Sequence, residues 1–368
     1  MTNSRIEELK TMPYEEYLKT PEWAEKRANA LQRADYRCQI CNSPHSLHVH
    51  HRTYENRGDE QLEDLTVLCD DCHVLYHHKD SISHHILSVQ ECLEHISTSE
   101  IAGVRTGFRK MDELLGGGLQ RGNLIVVAGR PGMGKSAFAM NVLLQAAKNN
   151  AGGLIFCLEM SGVQLMNRML SVLTGILAQH IQQGHIQEDE MSLVAAASAQ
   201  LANLPIAIDD TPSLTARQIM NKSIDYSSEH KLDLIVVDYL QLMGDDEIGQ
   251  NVHQLISNRI KTLKSLARAL DVPVILVSQL SRALERRADK RPMLTDLAES
   301  GSIEADADVV LFIYRAIMYD PDYEQPNIAE LLVAKHRNGP TGKVPLYFQE
   351  ERTCFHDVAL VDVTLLPS

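Results

Sequence analysis

The octapeptide Gly129–Ser136 reads GRPGMGKS and matches the pattern Gly-x4-Gly-Lys-Ser. An apolar, β-type run (residues 123–128) precedes it, and a run with apolar residues at helical spacing (137–148) follows it. Glycines between a strand and a helix let backbone N–H groups approach phosphate oxygens, and the helix dipole favours their negative charge. The pattern therefore predicts a nucleoside triphosphate site, with Lys135 on the β- and γ-phosphates and the Ser136 hydroxyl on Mg2+.

Bulk properties limit the class of protein. A chain of 368 residues is expected to hold two domains, because single cores stop growing at roughly 250–300 residues. The polar N-terminus is not typical of a signal peptide, and no apolar run is long enough to cross a bilayer, so we expect a cytoplasmic chain with no membrane partner. The net charge of −14 argues against nonspecific binding of nucleic acid over the whole protein surface. It does not exclude nucleic acid bound in a local basic channel.

The apolar pattern divides the chain. Residues 12–34 are predicted to form one helix, and residues 81–97 carry a stripe typical of an amphipathic helix. From residue 101 onward, strands alternate with helices, which indicates an α/β fold with a mostly parallel sheet. The candidate strands are residues 123–128, 153–158, 204–208, 232–238, 272–278 and 307–314, with a later pair near 329–335 and 343–348.

Cysteine and histidine residues cluster between residues 36 and 78. Two Cys-x2-Cys pairs fit a tetrahedral zinc site; they are Cys38 with Cys41 and Cys69 with Cys72. His50 and His51 end the strand-like run LHVHH, whereas His73 and His77 are four apart and share one helical face. Such facing pairs can hold one divalent metal and leave one imidazole free to take a proton from water.

The stretch from Tyr14 to His78 (YEEYLKTPEW, CQIC, LHVHH, DLTVLC, CHVLYHH) resembles the HNH, or ββα-metal, nuclease family. The resemblance implies that His51 is the general base and that His50, His73 and His77 bind a catalytic Mg2+, Mn2+ or Ni2+. It also implies that the four cysteines hold structural Zn2+. Asp64 stands where the family has a central Asn. The alternative is a zinc-ribbon DNA-binding module without catalysis, which the four cysteines alone would favour.

Three polar side chains follow the phosphate loop at the ends of predicted strands. Glu159 ends one strand and can align water opposite a γ-phosphate, and Asp238 ends another in the Walker B pattern for Mg2+. Gln279 ends a third strand and can sense the γ-phosphate. Acids often end strands for solvation alone, but three such residues in this order are hard to explain by packing. The predicted Mg2+ ligands are therefore Ser136 and, through water, Asp238.

Residues from about 101 to 350 resemble the C-terminal RecA-like motor domain of DnaB-type replicative helicases. The runs GVRTGFRKMDELLGGGLQRGNLIVVAGRPGMGKS, IVVDYLQLM, VSQLSRALE and AKHRNGPTG carry the resemblance. It implies that Glu159 is the catalytic carboxylate, Arg168 packs on the base and Gln279 is the sensor, whereas Lys335 and Arg337 reach the neighbouring subunit's γ-phosphate. Ala298 stands where the family usually has Arg in a DNA-binding loop. The predicted ATP-binding residues are Gly129, Arg130, Pro131, Gly132, Met133, Gly134, Lys135, Ser136, Arg168, Asp238 and Gln279.

The combined prediction is a nuclease-like unit (1–78), a linker helix (79–100) and a helicase-type motor (101–368). We expect an ATP- and Mg2+-dependent hexameric ring on single-stranded DNA that carries a DNA-cleaving nuclease, an architecture that suggests a mobile element or defence against foreign DNA. One alternative is a RadA-like branch-migration ATPase, which also joins a four-cysteine zinc site to a RecA-like core. Another is an ATP-gated DNA-binding scaffold with an inert zinc module.

Overall fold

A computed structural model of the chain describes residues 3–40, 43–52, 56–70, 72–73, 103–245, 251–297 and 301–358. These residues form two compact units, one before residue 88 and one after it. In the described part of the chain, no helix is long and apolar enough to cross a membrane. The predicted linker helix at 81–97 lies outside the described residues.

The N-terminal unit begins with three helices and continues with a hairpin; the elements are α1 (Asn3–Thr11), α2 (Tyr14–Tyr17), α3 (Pro21–Arg33), β1 (Leu47–His51) and β2 (Leu65–Cys69). The prediction of a single helix over 12–34 is wrong. Pro21 lacks an N–H group and its ring would clash with the preceding turn, so the helix cannot run through it. Instead Thr20 caps α3, and its side chain accepts a hydrogen bond from the Trp23 N–H at 3.3 Å.

The hairpin is antiparallel, with Leu47 opposite Cys69 and His51 opposite Leu65. Its inner face packs with Leu9, Tyr17 and Trp23 to form the core of this unit. Because neighbouring side chains on a strand point to opposite faces, the hairpin register places His50 on one face of β1 and His51 on the other.

The C-terminal unit is built on a nine-stranded sheet. Its strands are β3 (Leu124–Gly129), β4 (Gly153–Cys157), β5 (Ile206–Asp209), β6 (Leu234–Asp238), β7 (Val274–Gln279), β8 (Val309–Tyr314), β9 (Ile328–His336), β10 (Gly342–Gln349) and β11 (Cys354–Asp357). The order across the sheet is β11-β10-β9-β8-β3-β7-β6-β4-β5. The six strands from β8 to β5 run parallel, and β9, β10 and β11 extend the sheet by antiparallel pairing.

Helices cover both faces of the sheet, and every residue of β3, β4, β6 and β8 is buried. The helices are α4 (Arg109–Leu114), α5 (Lys135–Lys148), α6 (Gly162–Thr174), α7 (Ala178–Gln183), α8 (Met191–Ala202), α9 (Ala216–Glu229), α10 (Val252–Leu270) and α11 (Gly301–Asp306). The predicted α/β fold with a mostly parallel sheet is confirmed. Strand β11 was not predicted, and the residues after 358 lie outside the described part.

One glycine shows how tightly the backbone packs at the start of β4. A Cβ atom on Gly152 would lie 2.0 Å from the Lys231 carbonyl oxygen, which is part of the backbone. Gly152 also accepts hydrogen bonds from the Asp233 and Leu234 N–H groups, so the backbone there cannot move away freely. We predict that Gly152→Ala lowers the free energy of unfolding of this unit by about 3 kcal/mol.

The measurement is urea unfolding followed by circular dichroism, with Gly175→Ala as the control. Gly175 has φ +75° and no atom within 4 Å of an added Cβ, so its substitution isolates the cost of a left-handed backbone, about 1 kcal/mol. Equal stability losses in the two variants would contradict the proposed backbone clash.

Candidate functional site

The loop between β3 and α5 has a conformation that requires glycine. Gly132 and Gly134 have φ values of +79° and +92°, in the left-handed region. A Cβ atom on Gly134 would also lie 3.0 Å from Phe355 and 3.1 Å from Phe348. The loop leads directly into the N-terminus of α5, where backbone N–H groups lack helical partners and favour an anion.

This loop forms one wall of a cavity of about 720 Å3, a size that suits a nucleotide. The other walls come from the ends of β4, β6 and β7, from α6 and α7, and from the turn after β10. The lining residues are Pro131, Gly132, Gly134, Lys135, Ser136, Ala137, Glu159, Met160, Gln164, Asn167, Arg168, Ala178, Gln179, Gln182, Asp238, Tyr239, Gln279, Phe348, Glu350, Glu351 and Thr353. The structure thus brings Lys135, Ser136, Glu159, Arg168, Asp238 and Gln279 together, as the sequence predicted, around a single cavity.

Lys135, which is half-buried, and Asp238, which is buried, are opposite charges beside the phosphate loop. Burial lowers the pKa of Lys135, and the negative charges of Asp238 and Glu159 oppose that shift. Burial raises the pKa of Asp238 to about 6, against the hydrogen bond from Ser136, which lowers it. The Asp238 Oδ1 atom is buried and has no hydrogen-bond partner among the described residues. A hydroxyl and a carboxylate with an unsatisfied oxygen are the donors that hydrated Mg2+ uses, so the residues fit this cation.

Three predicted binding residues of the loop do not line the cavity. Gly129 ends β3, and Met133 is buried in the core. The Arg130 guanidinium instead donates to Glu285 at 2.6 Å and to the Leu280 carbonyl at 2.9 Å. Arg130 contributes its carbonyl oxygen, which accepts a hydrogen bond from the Lys135 ammonium at 3.2 Å. Its side chain therefore links the loop to the segment after β7.

Lys335 and Arg337 lie outside the cavity of their own chain. The Lys335 ammonium donates to the carbonyls of Glu304, Ala305 and Ala307, at the end of α11. The Arg337 guanidinium donates to Asp308 at 3.3 Å and to the Ala305 carbonyl at 2.9 Å. Ala298, in the predicted DNA-binding loop, lies outside the described residues.

Sequence reasoning missed the cavity wall formed by residues 348–353. This wall follows β10 and is about two hundred residues from the phosphate loop in the chain, and no local motif marks it. Arg315 connects the two parts: it is buried, donates to the Gly132 carbonyl at 2.9 Å and to Glu350 at 2.8 Å, and lies over the Phe348 ring. A buried arginine that fixes a loop carbonyl is visible only in three dimensions.

The N-terminal unit contains a cluster of sulfur atoms. Cys38, Cys69 and Cys72 are buried, and their Sγ atoms lie within 4.8 Å of one another. Cys41, the fourth predicted ligand, lies outside the described residues. Three converging thiols suit a soft cation of the zinc type.

Two predicted metal-binding histidines approach each other. His50 Nδ1 lies 3.3 Å from His73 Nε2. His48, on the same face of β1 as His50, stacks on His73 with ring centroids 4.9 Å apart and contacts Asp70. His77 lies outside the described residues. The His50–His73 pair can supply two imidazole ligands to one divalent cation.

The structure buries His51, the predicted general base. Its side chain has no solvent exposure, and its ring stacks on Trp23 with centroids 4.6 Å apart. Nε2 lies 3.0 Å from Glu60 Oε1, and Nδ1 lies 3.2 Å from the Tyr14 hydroxyl. This burial was not predicted, because strand polarity alone does not show that residues of helices α2 and α3 pack on this face of β1.

Glu60 explains how this buried histidine is held. Burial by itself would raise the pKa of Glu60, but hydrogen bonds from His51 and Tyr17 outweigh burial and lower the pKa to about 2. The Tyr17 hydroxyl donates to Glu60 at 2.6 Å, and Lys26 lies 3.1 Å from the second carboxylate oxygen. An ionised Glu60 can only accept, so His51 Nε2 carries the hydrogen of this contact.

The parallel sheet, the glycine-rich loop before α5 and the carboxylates at neighbouring strand ends define the C-terminal unit as a P-loop domain of the RecA-like class. Comparison with known proteins identifies the family. Residues 103–357 match the DnaB-like helicase C terminal domain, and the chain belongs to this family.

Two replicative DNA helicases illustrate the similarity. The chain is 46% identical over 263 residues to the replicative DNA helicase DnaB of Geobacillus stearothermophilus, and 44% identical over 263 residues to the replicative DNA helicase DnaC of Bacillus subtilis. Each match covers 71% of this chain but only 58% of the relative. The chain therefore spans little more than half the length of these relatives.

Two solved structures share the fold of the C-terminal unit. One is an isolated ATPase domain, which superposes with a TM-score of 0.71 at 35% identity, covering 74% of this chain and 99% of that domain. The other is a DnaB-like replicative helicase whose interactions with primase have been described. It superposes with a TM-score of 0.68 at 35% identity, covering 73% of this chain and 66% of its own.

Proposed function

We propose that the chain is an ATP-driven motor of the DnaB type that acts on single-stranded DNA and carries an N-terminal metal-dependent nuclease. The observation that carries the motor proposal is the convergence of Lys135, Ser136, Glu159, Asp238 and Gln279 on one cavity. These residues come from four separate strand ends, and their side chains match the needs of phosphoryl transfer to water.

The proposed reaction uses each residue at a defined step. Lys135 and the N-terminus of α5 hold the β- and γ-phosphates, and Ser136 and Asp238 would hold hydrated Mg2+, which neutralises phosphate charge when bound. Glu159 orients water for attack on the γ-phosphorus and receives its proton. The bond between the γ-phosphorus and the bridging oxygen breaks as the new P–O bond forms, and ADP leaves with the electron pair. Arg168 packs on the base.

The positions of Lys335 and Arg337 support an assembled form. Both cations lie away from the cavity of their own chain, so each would complete a neighbour's site in a closed ring, which we propose to be a hexamer around single-stranded DNA. The proposed domain limits are 1–78 for the nuclease, 79–100 for the linker and 101–368 for the motor. A RadA-like branch-migration ATPase remains the alternative enzyme, but its zinc module gives no role to the histidine pair.

For the N-terminal unit we propose an HNH nuclease with structural Zn2+ on the four cysteines and a catalytic divalent cation on His50, His73 and His77. The approach of His50 to His73 and the converging cysteines support it. His51 remains the proposed general base, with Nδ1 as the accepting atom and Glu60 holding Nε2. Water or substrate would have to reach Nδ1 beside Tyr14, whose side chain is partly exposed. The competing possibility is an inert zinc module on an ATP-gated DNA-binding scaffold.

Glu159→Gln tests the assignment of the water-activating group. We predict that this variant binds ATP normally but hydrolyses it about 100-fold or more slowly, because the amide cannot take the proton. Phosphate release and nucleotide affinity are measured in parallel, with and without single-stranded DNA, and exposed Glu188→Gln serves as the control. Hydrolysis by Glu159→Gln at the wild-type rate would show that another group activates the water.

Arg337 is predicted to act on the neighbouring subunit. Arg337→Ala and Lys135→Ala chains should each be nearly inactive alone, but a 1:1 mixture should recover activity, because about a quarter of the interfaces in a randomly mixed ring join an intact loop to an intact arginine. The ATPase rate of the mixture is compared with that of either variant alone. Absence of recovery in rings shown to contain both chains, or full-rate hydrolysis by a monomer, would contradict action in trans.

His73→Ala is predicted to reduce cleavage of supercoiled plasmid by more than about 100-fold and to be partly rescued by excess metal, because it removes one imidazole ligand. Exposed His45→Ala is the matched control, and ATPase activity reports that the motor is intact in both. If the wild-type chain with Mg2+, Mn2+ or Ni2+ cuts neither single- nor double-stranded DNA, the inert zinc module is the correct alternative.

A further inference from the structure

Strand β7 extends beyond its neighbour β6 at the edge of the nucleotide cavity. The pairing of β6 with β7 ends at Val237 and Leu276. On the other side, β7 stays paired with β3 as far as Gln279, which lies opposite Gly129. The last three residues of β7, Val277, Ser278 and Gln279, therefore have a strand partner on the β3 side but none on the β6 side in the described structure.

The Gln241 side chain occupies the place of the missing strand. Its Oε1 atom accepts a hydrogen bond from the Gln279 N–H at 3.2 Å. Its Nε2 group donates to the Ser278 hydroxyl at 3.1 Å and contacts the Gln279 carbonyl at 3.4 Å. One side-chain amide thus engages both backbone polar groups of Gln279, as a neighbouring strand would.

The turn that carries Gln241 is itself firmly held. It is the single helical turn Leu240–Leu242, which begins two residues after Asp238. Leu240 is fully buried, and the Arg259 guanidinium donates to the carbonyls of Leu240 at 3.1 Å and Met243 at 2.7 Å. Arg259 is on α10, so the turn is anchored to a helix that packs on the sheet.

We infer that Gln241 is a positioning residue that fixes Gln279 relative to Asp238 at the γ-phosphate end of the cavity. The inference rests on the proposed ATPase function. Gln241 does not line the cavity, whereas Gln279 and Asp238 do, so it acts through Gln279 and not on the nucleotide. Removing the Gln241 amide leaves the end of β7 without this support on the β6 side, whereas the pairing of β7 with β3 remains. The expected defect is therefore in recognition of the γ-phosphate and not in binding of the base or the other phosphates.

Gln241→Met tests this role because methionine has a similar length and cannot form the three contacts. The full-length chain is titrated with ADP and with a non-hydrolysable triphosphate analogue, and kcat and KM for ATP are measured. We expect the affinity of the variant for ADP to stay within about twofold of the wild-type value. Its affinity for the analogue should fall about five- to tenfold, which is the effect expected from the loss of one or two hydrogen bonds. The kcat should fall more than KM rises.

Two further variants complete the test: one separates the acceptor from the donor of the Gln241 amide, and the other is a control. Gln241→Glu keeps an acceptor for the Gln279 N–H but loses the amide donor, so partial recovery of analogue affinity is expected. Leu242→Met, on the same turn and also exposed, is the control and should match wild type. Thermal midpoints of all variants report whether the fold is intact.

Three outcomes overturn the inference. Gln241→Met could bind both nucleotides and hydrolyse ATP like wild type, it could weaken ADP and analogue equally, or it could lower the thermal midpoint along with all binding. If the wild-type chain binds nucleotides without hydrolysing ATP, the proposed function fails. The ratio of ADP to analogue affinity still decides the role of Gln241 in that case.

Discussion

The parallel pairing of β3 between β7 and β8 is the constraint on which the nucleotide cavity depends. Because the carboxyl ends of parallel strands meet at one edge, the phosphate loop after β3 is brought beside Asp238 at the end of β6 and Gln279 at the end of β7. An antiparallel neighbour would have placed one of these ends on the opposite edge. Half-buried Lys135 and buried Asp238 lie there together, and each charge partly compensates the other.

The antiparallel extension of the sheet contributes to the same site. Strands β9, β10 and β11 carry the chain back toward the phosphate loop, so that Phe348 and Phe355 pack against Gly134. Arg315, at the end of β8, holds the Gly132 carbonyl on one side and Glu350 on the other. The glycine conformations in the loop are therefore maintained by residues far away in sequence.

The sequence predicted the parts of this site that have short-range signals. The phosphate loop and the residues at strand ends, which the structure gathers around one cavity, could be picked out because a strand followed by a polar side chain is a local pattern. The mostly parallel sheet followed from the alternation of strands and helices. The cavity wall at 348–353 and the burial of His51 were not predicted, because each depends on packing between distant segments. Pro21, which breaks the predicted helix over 12–34, was a local signal that the apolar pattern obscured.

The two units present different kinds of polar cluster. In the N-terminal unit, Glu60 is buried: His51 and Tyr17 contact its Oε1 atom, and the Lys26 ammonium lies 3.1 Å from Oε2, which has no hydrogen-bond partner among the described residues. In the C-terminal unit, the Asp238 Oδ1 atom also lacks a partner among the described residues, and Asp238 lines the cavity. The unsatisfied oxygen of the first cluster therefore has a protein cation, Lys26, beside it, whereas that of the second cluster belongs to a residue of the cavity wall.

The central claim is that the cavity of the C-terminal unit binds one Mg2+-nucleoside triphosphate through Lys135 and Asp238. Calorimetric titration of the full-length chain with a non-hydrolysable analogue tests it most directly. The account predicts one binding site per chain, a loss of affinity of about 100-fold or more in Lys135→Ala, and a loss of Mg2+ dependence in Asp238→Asn. Unchanged affinity in Lys135→Ala together with unchanged Mg2+ dependence in Asp238→Asn would contradict it.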